Sequence, residues 1–121
     1  MESAFDDYQA FTRTTAIYQE ACKSGGERIL YCLLGLVGES GEIAEKVKKV
    51  VRTSGMGSLG SAMENPTFRR LMVKECGDSL WYLARLADEM GVPLSEVAET
   101  NVKKLSDRKE RGVLHSEGDE R

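Results

Sequence analysis

The sequence predicts an all-α fold, a four-helix antiparallel bundle, and three observations carry that prediction. Apolar residues recur at helical spacing through most of the chain, glycine and proline stand where such stretches stop and start, and no stretch alternates convincingly as a strand would. The chain is one domain by length, able to bury a core but not a large one.

The first helix is expected over about 6–23, ending before Ser24-Gly25-Gly26. The second and longest runs over about 27–52, where Ile29, Leu33, Leu36, Ile43, Val47, Val50 and Val51 recur at helical spacing. Gly55, Gly57 and Gly60 mark a Gly/Ser-rich loop between the second and third helices, reaching from Gly55 to Asn65. Asn65-Pro66 then supplies an N-cap followed by proline at the first helical position, and the third helix runs to about Met90, where Gly91 stops it. A fourth begins near Pro93 and ends at Gly112. The helical domain is thus expected over 1–112, with a polar tail over 113–121 in which Val113 and Leu114 can dock.

Composition excludes several classes. Seventeen basic against twenty acidic residues give a net charge of −3, and the one basic stretch, Lys103 to Arg111, carries its own acids at Asp107 and Glu110, so nucleic acid is not an expected partner. The longest apolar run, Ile29 to Gly38, is far short of a membrane span, and the acidic start Met1 to Asp7 has no secretory apolar region. Cys22, Cys32 and Cys76 are odd in number and lack C-x-x-C spacing, which fits a reducing cytoplasm.

One motif occurs twice. Val37-Gly38-Glu39-Ser40-Gly41-Glu42 and Val73-Lys74-Glu75-Cys76-Gly77-Asp78 both read V-x-E-x-G-acid, placing two carboxylates at i and i+3 on one side of a helix. Gly41 lies about 11 residues before the end of the second helix and Gly77 about 11 after the start of the third, about 17 Å each way. In an antiparallel hairpin the two pairs sit at one height, so Glu39, Glu42, Glu75 and Asp78 can converge. Glycine inside a helix costs about 1 kcal/mol relative to alanine, so Gly41 and Gly77 imply close approach of a ligand, another backbone or a packed helix.

The plain alternative is a set of solvated acids paired with lysines, Glu42 with Lys46 and Glu45 with Lys49. A duplicated, height-matched motif argues against it, because four converging like charges persist only if cations or protons neutralise them. With the single histidine, His115, in the tail, the oxygen-only set favours Mg²⁺, or Mn²⁺, over zinc or a di-iron centre.

These residues resemble a known pattern. Glu39-x-x-Glu42 with Glu75-x-x-Asp78, followed by Asn101-x-x-Lys104-x-x-x-Arg108, is similar to the E-x-x-E…E-x-x-D and N-x-x-K-x-x-x-R motifs of the MazG-like all-α nucleoside triphosphate pyrophosphohydrolases, over roughly residues 5–112. The 55–65 segment is an insertion relative to compact members. The resemblance implies Mg²⁺-dependent cleavage of a nucleoside triphosphate between the α and β phosphates, with Glu39, Glu42, Glu75 and Asp78 as metal ligands and Glu39 taking the proton of the attacking water. Asn101, Lys104 and Arg108, one stripe of the fourth helix, would contact the phosphates, and Lys46 and Tyr82 join them as candidate substrate contacts. It also implies a homodimer or homotetramer, in line with an apolar sector on the second helix too wide for one partner helix. Three alternatives stand beside a broad nucleotide-pool enzyme: a dUTP- or dCTP-restricted pyrophosphatase, a non-catalytic regulatory or oligomerisation module, and a divalent-cation binding protein.

Overall fold

The fold is a computed structural model that describes residues 3–115. Helix α1 spans Ala4–Thr15, α2 Gly25–Ser54, α3 Leu59–Glu64, α4 Pro66–Glu89 and α5 Leu94–Glu110, with single 3₁₀ turns at Tyr18–Glu20 and Met56–Ser58. No strand occurs among the described residues.

Local chemistry accounts for most boundaries. A capping box opens α2: Ser24 Oγ accepts from the Glu27 amide at 3.1 Å while the Glu27 carboxylate accepts from the Ser24 amide at 3.3 Å. Asn65 caps α4 as expected, its Oδ1 accepting from the amides of Thr67 and Phe68 at 2.9 and 3.1 Å, with Pro66 at the first helical position. Gly91 and Gly112 adopt φ of 72° and 70°, and the amides of Val92 and Val113 reach back to the carbonyls of Ala87 and Arg108 in the closing bonds of left-handed helix ends. Pro93 gives α5 no side-chain cap; Asp6 of α1 supplies one instead, accepting from the Ser95 amide at 2.9 Å and the Ser95 hydroxyl at 2.7 Å.

Three expectations are corrected. The helix expected over 6–23 stops at Thr15, because Thr14 and Thr15 turn their hydroxyls onto the carbonyls of Phe11 and Thr12, and the chain extends at Ala16. The short turn that follows seats Tyr18 in the core, stacked on Tyr31 with ring centroids 4.8 Å apart. The 55–65 segment is mostly helical rather than loop: Leu59 and Ala62 are half-buried one turn apart, and α3 packs on both α2 and α4. Glycine and serine content masked that spacing.

Nor does one chain complete a four-helix bundle. α2 and α4 form a long hairpin, and α1 and α5 pack on each other and on α4, but neither touches α2 among the described residues. The core is correspondingly small: Ala84, Ala87 and Leu94 with Tyr8 and Val97 against them, and Tyr18 and Cys32 buried outside that cluster. Along α2 the residues Leu30, Leu34, Val37, Gly41 and Ala44, spaced alternately by four and three, are all exposed, Leu34 and Val37 each by 64%.

A buried polar knot fastens α4 to its neighbours. Arg85, 3% exposed, donates to Tyr18 Oη at 3.1 Å and Asp88 at 2.8 Å and pairs with Glu89 at 3.3 Å; Arg13 clamps Asp88 and Arg28 bonds Glu89 at 2.9 Å. Buried Gln9 ties α1 to the turn before α5, donating to the Val92 carbonyl at 2.9 Å and accepting from the Leu94 amide at 3.1 Å.

Candidate active site on the α2–α4 hairpin

The two acidic pairs face each other across the hairpin. One carboxylate oxygen each from Glu39, Glu75 and Asp78 lie within 4.8 Å of one another, with Glu39 and Glu75 half-buried and Asp78 exposed. Glu42 stands outside this group, so three acids rather than four meet, although its charge still acts on Glu39. Burial pushes the Glu39 carboxyl above its ordinary value, and the charges of Asp78, Glu75 and Glu42 push it further.

Lys46 answers part of this charge. Lys46 Nζ sits 2.7 Å from Glu75 Oε1, bridging the hairpin instead of pairing with Glu42 on its own helix. That hydrogen bond raises the lysine above its ordinary range, aided by the charges of Glu75 and Glu42. Glu45 pairs with Lys48 at 2.6 Å and, more loosely, with Lys49 at 3.6 Å.

The other expected residues fall in two groups. Tyr82 is close enough for Glu39 to act on it; its phenol is pushed up to about 12 by burial first, then by a hydrogen bond with Tyr31 and the charges of Tyr31 and Glu39. Its ring lies over Gly35, where a Cβ would overlap it. Asn101 and Lys104 lie exposed on α5, which is packed on α1 and α4 and away from α2, while Arg108 is 4% exposed and so is not a solvated cation. His115 is exposed at the end of the described residues. The expected tail lies outside the described residues from 116 onward; within them Val113 is half-buried and Leu114 exposed.

Gly41 and Gly77 do not approach anything: a Cβ at either would find no neighbour within 4 Å. The close approach falls at Gly35 instead. Sequence reading missed Gly35, Tyr8 and Tyr31; among the five glycines of α2 only Gly35 faces an aromatic ring, which spacing along one helix does not reveal. Tyr8 is raised by burial and then by the charge of Asp78, so α1 reaches the edge of the acidic group.

The donor set fits a hard divalent cation. Three carboxylate oxygens converge without imidazole or thiolate among them, and the repulsion recorded at Glu39 is what a doubly charged ion would relieve. The MazG nucleotide pyrophosphohydrolase domain, as a family, matches residues 28–113, a stretch that holds both acidic pairs and all of α5. The chain belongs to the MazG family. It is also similar to the Gene 37 protein of Mycobacterium phage L5, 45% identical over 118 residues that cover 96% of this chain and 97% of that one. No solved structure matches significantly. MazG membership agrees with the all-helical fold, and no helix among the described residues is long and apolar enough to cross a membrane.

Proposed function

We propose that this MazG domain hydrolyses nucleoside or deoxynucleoside triphosphates at the α–β phosphoanhydride, with Mg²⁺, to the monophosphate and pyrophosphate. The observation that carries the reading is the meeting of Glu39, Glu75 and Asp78 within 4.8 Å, with Lys46 paired to Glu75, inside a domain of the pyrophosphohydrolase family.

Glu39, Glu75 and Asp78 would hold the cation, with Glu42 one turn from Glu39 as a further ligand. Mg²⁺ supplies Lewis-acid activation of water and offsets charge on the departing pyrophosphate. Glu39 accepts the proton of the attacking water, a role suited to a carboxylate whose proton affinity burial and three neighbouring acids have raised. Lys46 aims Glu75 at the other acids and brings a positive charge beside the phosphate chain. Asn101 and Lys104 offer polar groups to the phosphates from α5, with Arg108 supporting that stripe from its buried side. Tyr82, seated over Gly35, positions Glu39.

The open seam Leu30, Leu34, Val37, Gly41 and Ala44 supports self-association: a second copy laid on α2 completes the bundle that one chain leaves unfinished. Val37→Asp should then lower the oligomeric state, read by light scattering. Free Cys22, Cys32 and Cys76 support a cytoplasmic setting.

A screen of all ribo- and deoxyribonucleoside triphosphates with Mg²⁺, reading pyrophosphate separately from orthophosphate, tests the reaction. Pyrophosphate as primary product is the expected result. Orthophosphate would reject α–β cleavage.

A further inference from the structure

A cavity of about 810 Å³ opens between the C-terminal half of α2, α3 and the first turns of α4. Three observations give it a chemical character. Its lining is partly apolar, with Val50, Phe68 and Leu71, and carries hydroxyls from α2 (Thr53 and Ser54), from the 3₁₀ turn (Ser58) and from α3 (Ser61). Lys46 lines the cavity and bonds Glu75 of the acidic group at 2.7 Å, so one side chain borders both. From Lys46 to Ser54 the lining of α2 extends about 12 Å at 1.5 Å per residue, room for a base and a sugar laid along the helix.

The volume falls within the roughly 300–1,000 Å³ of small-molecule sites, which pair an apolar lining with a few placed polar groups. Asn65 adds one such group. Its side-chain oxygen is committed to the amides of Thr67 and Phe68, which leaves the NH₂ as the group it can present to a ligand's acceptor. Lys46 and Lys49 stand together on the wall nearest the acids, where a phosphate attached to that ligand would lie.

We infer that this cavity seats the nucleoside half of the substrate, base and sugar, with α3 as the wall that selects among bases. The inference rests on the triphosphate reading above and extends it from the phosphates to the nucleoside. α3 contributes Ser61 and Ala62 to the lining of this open cavity, opposite the α2 wall. Its side chains Ser61 and Ala62, rather than any metal ligand, then set which base fits.

The test uses the full chain, with Mg²⁺ present, and two probes: α,β-methylene nucleoside triphosphates of each base, which resist cleavage, and inorganic tripolyphosphate, which has no nucleoside. Binding is read by calorimetry. Ser61→Trp, at an exposed position of α3, plugs the cavity from one side, and Thr67→Trp, exposed at the start of α4, plugs it from the other. Melting curves show which variants are folded, and a folded one decides. The expected result is about tenfold or greater weakening of the nucleotide analogues, with tripolyphosphate changed by less than about twofold. Analogue affinities equal to wild type in a folded variant would overturn the inference, as would a wild type that binds tripolyphosphate as tightly as every analogue. Failure of the enzymatic reading looks different: wild type would bind the analogues selectively yet leave the parent triphosphates uncleaved, which sustains the cavity while rejecting the reaction.

Discussion

Helix α4 carries two acidic pairs that differ in how their charge is met. Asp88 and Glu89 at its end are surrounded by Arg85, Arg13, Arg28 and Tyr18. Hydrogen bonding from Arg13 holds the Asp88 carboxyl below its ordinary range in spite of burial, and burial alone would raise Glu89, but bonds from Tyr18 and Arg28 outweigh it and leave it low. Glu75 and Asp78, about ten residues earlier, face Glu39, with Lys46 paired to Glu75, and Glu39 is raised. Identical side chains on one helix therefore do opposite work. Fully paired acids fasten α4 to α1 and α2, whereas the acids around Glu39 keep repulsion that a cation can relieve.

The largest expected effect comes from breaking the paired region. Arg85→Met leaves Asp88 and Glu89 short of a buried partner, and loss of one member of such a network costs about 3–5 kcal/mol. A urea unfolding midpoint far below wild type is expected; an unchanged midpoint would show that Arg13 and Arg28 suffice. Gly35→Ala, on the boundary between the two regions, forces a Cβ against the Tyr82 ring and should cost about 1–3 kcal/mol in the same experiment. Gly41→Ala and Gly77→Ala meet open space within the chain and serve as its controls.

The smallest effect separates the two regions by sign. Asp88 and Glu89, lowered on folding, contribute stability that is present above their ordinary values of 3.8 and 4.5 and is lost as pH falls through their lower folded values. Glu39, raised on folding, favours the folded state below 4.5, and that advantage disappears as pH rises through its folded value. Metal-free melting temperature should thus hold or rise slightly as pH falls from neutral toward about 4.5, then drop below it. A steady decline starting at neutral pH would contradict the opposition.

How much of this was legible in the sequence follows from range. The Asn65 cap, the stops at Gly91 and Gly112 and the equal height of the two acidic motifs are set by residues close in sequence, and the sequence alone predicts each. The seat of Tyr18 between Tyr31 and Arg85, just beyond the break at Thr15, is a tertiary fact that local sequence does not carry. Lys46 illustrates the same limit at the site: helical spacing offered it Glu42, and the hairpin gave it Glu75. Glu42 falls outside the meeting point while its counterpart Asp78 falls inside it, a difference that the identical i, i+3 spacing of the two pairs does not carry. α3 stayed hidden behind glycine and serine content although Leu59, Ala62 and Met63 already had helical spacing.

The central claim is that the α2–α4 acids are a cation site built at the expense of metal-free stability. Glu39→Gln tests it most directly, because Glu39 bears the repulsion of all three neighbours, whereas Glu75 also holds Lys46. Turnover and melting temperature are measured for this variant beside wild type, without metal and with saturating Mg²⁺. The account predicts loss of most turnover, a metal-free melting temperature equal to or above wild type, and a Mg²⁺-induced rise in melting temperature smaller than wild type's, whose underlying stabilisation should reach about 2.7 kcal/mol at a hundredfold excess over Kd. Retained turnover, or a metal-free protein clearly less stable than wild type, would contradict it.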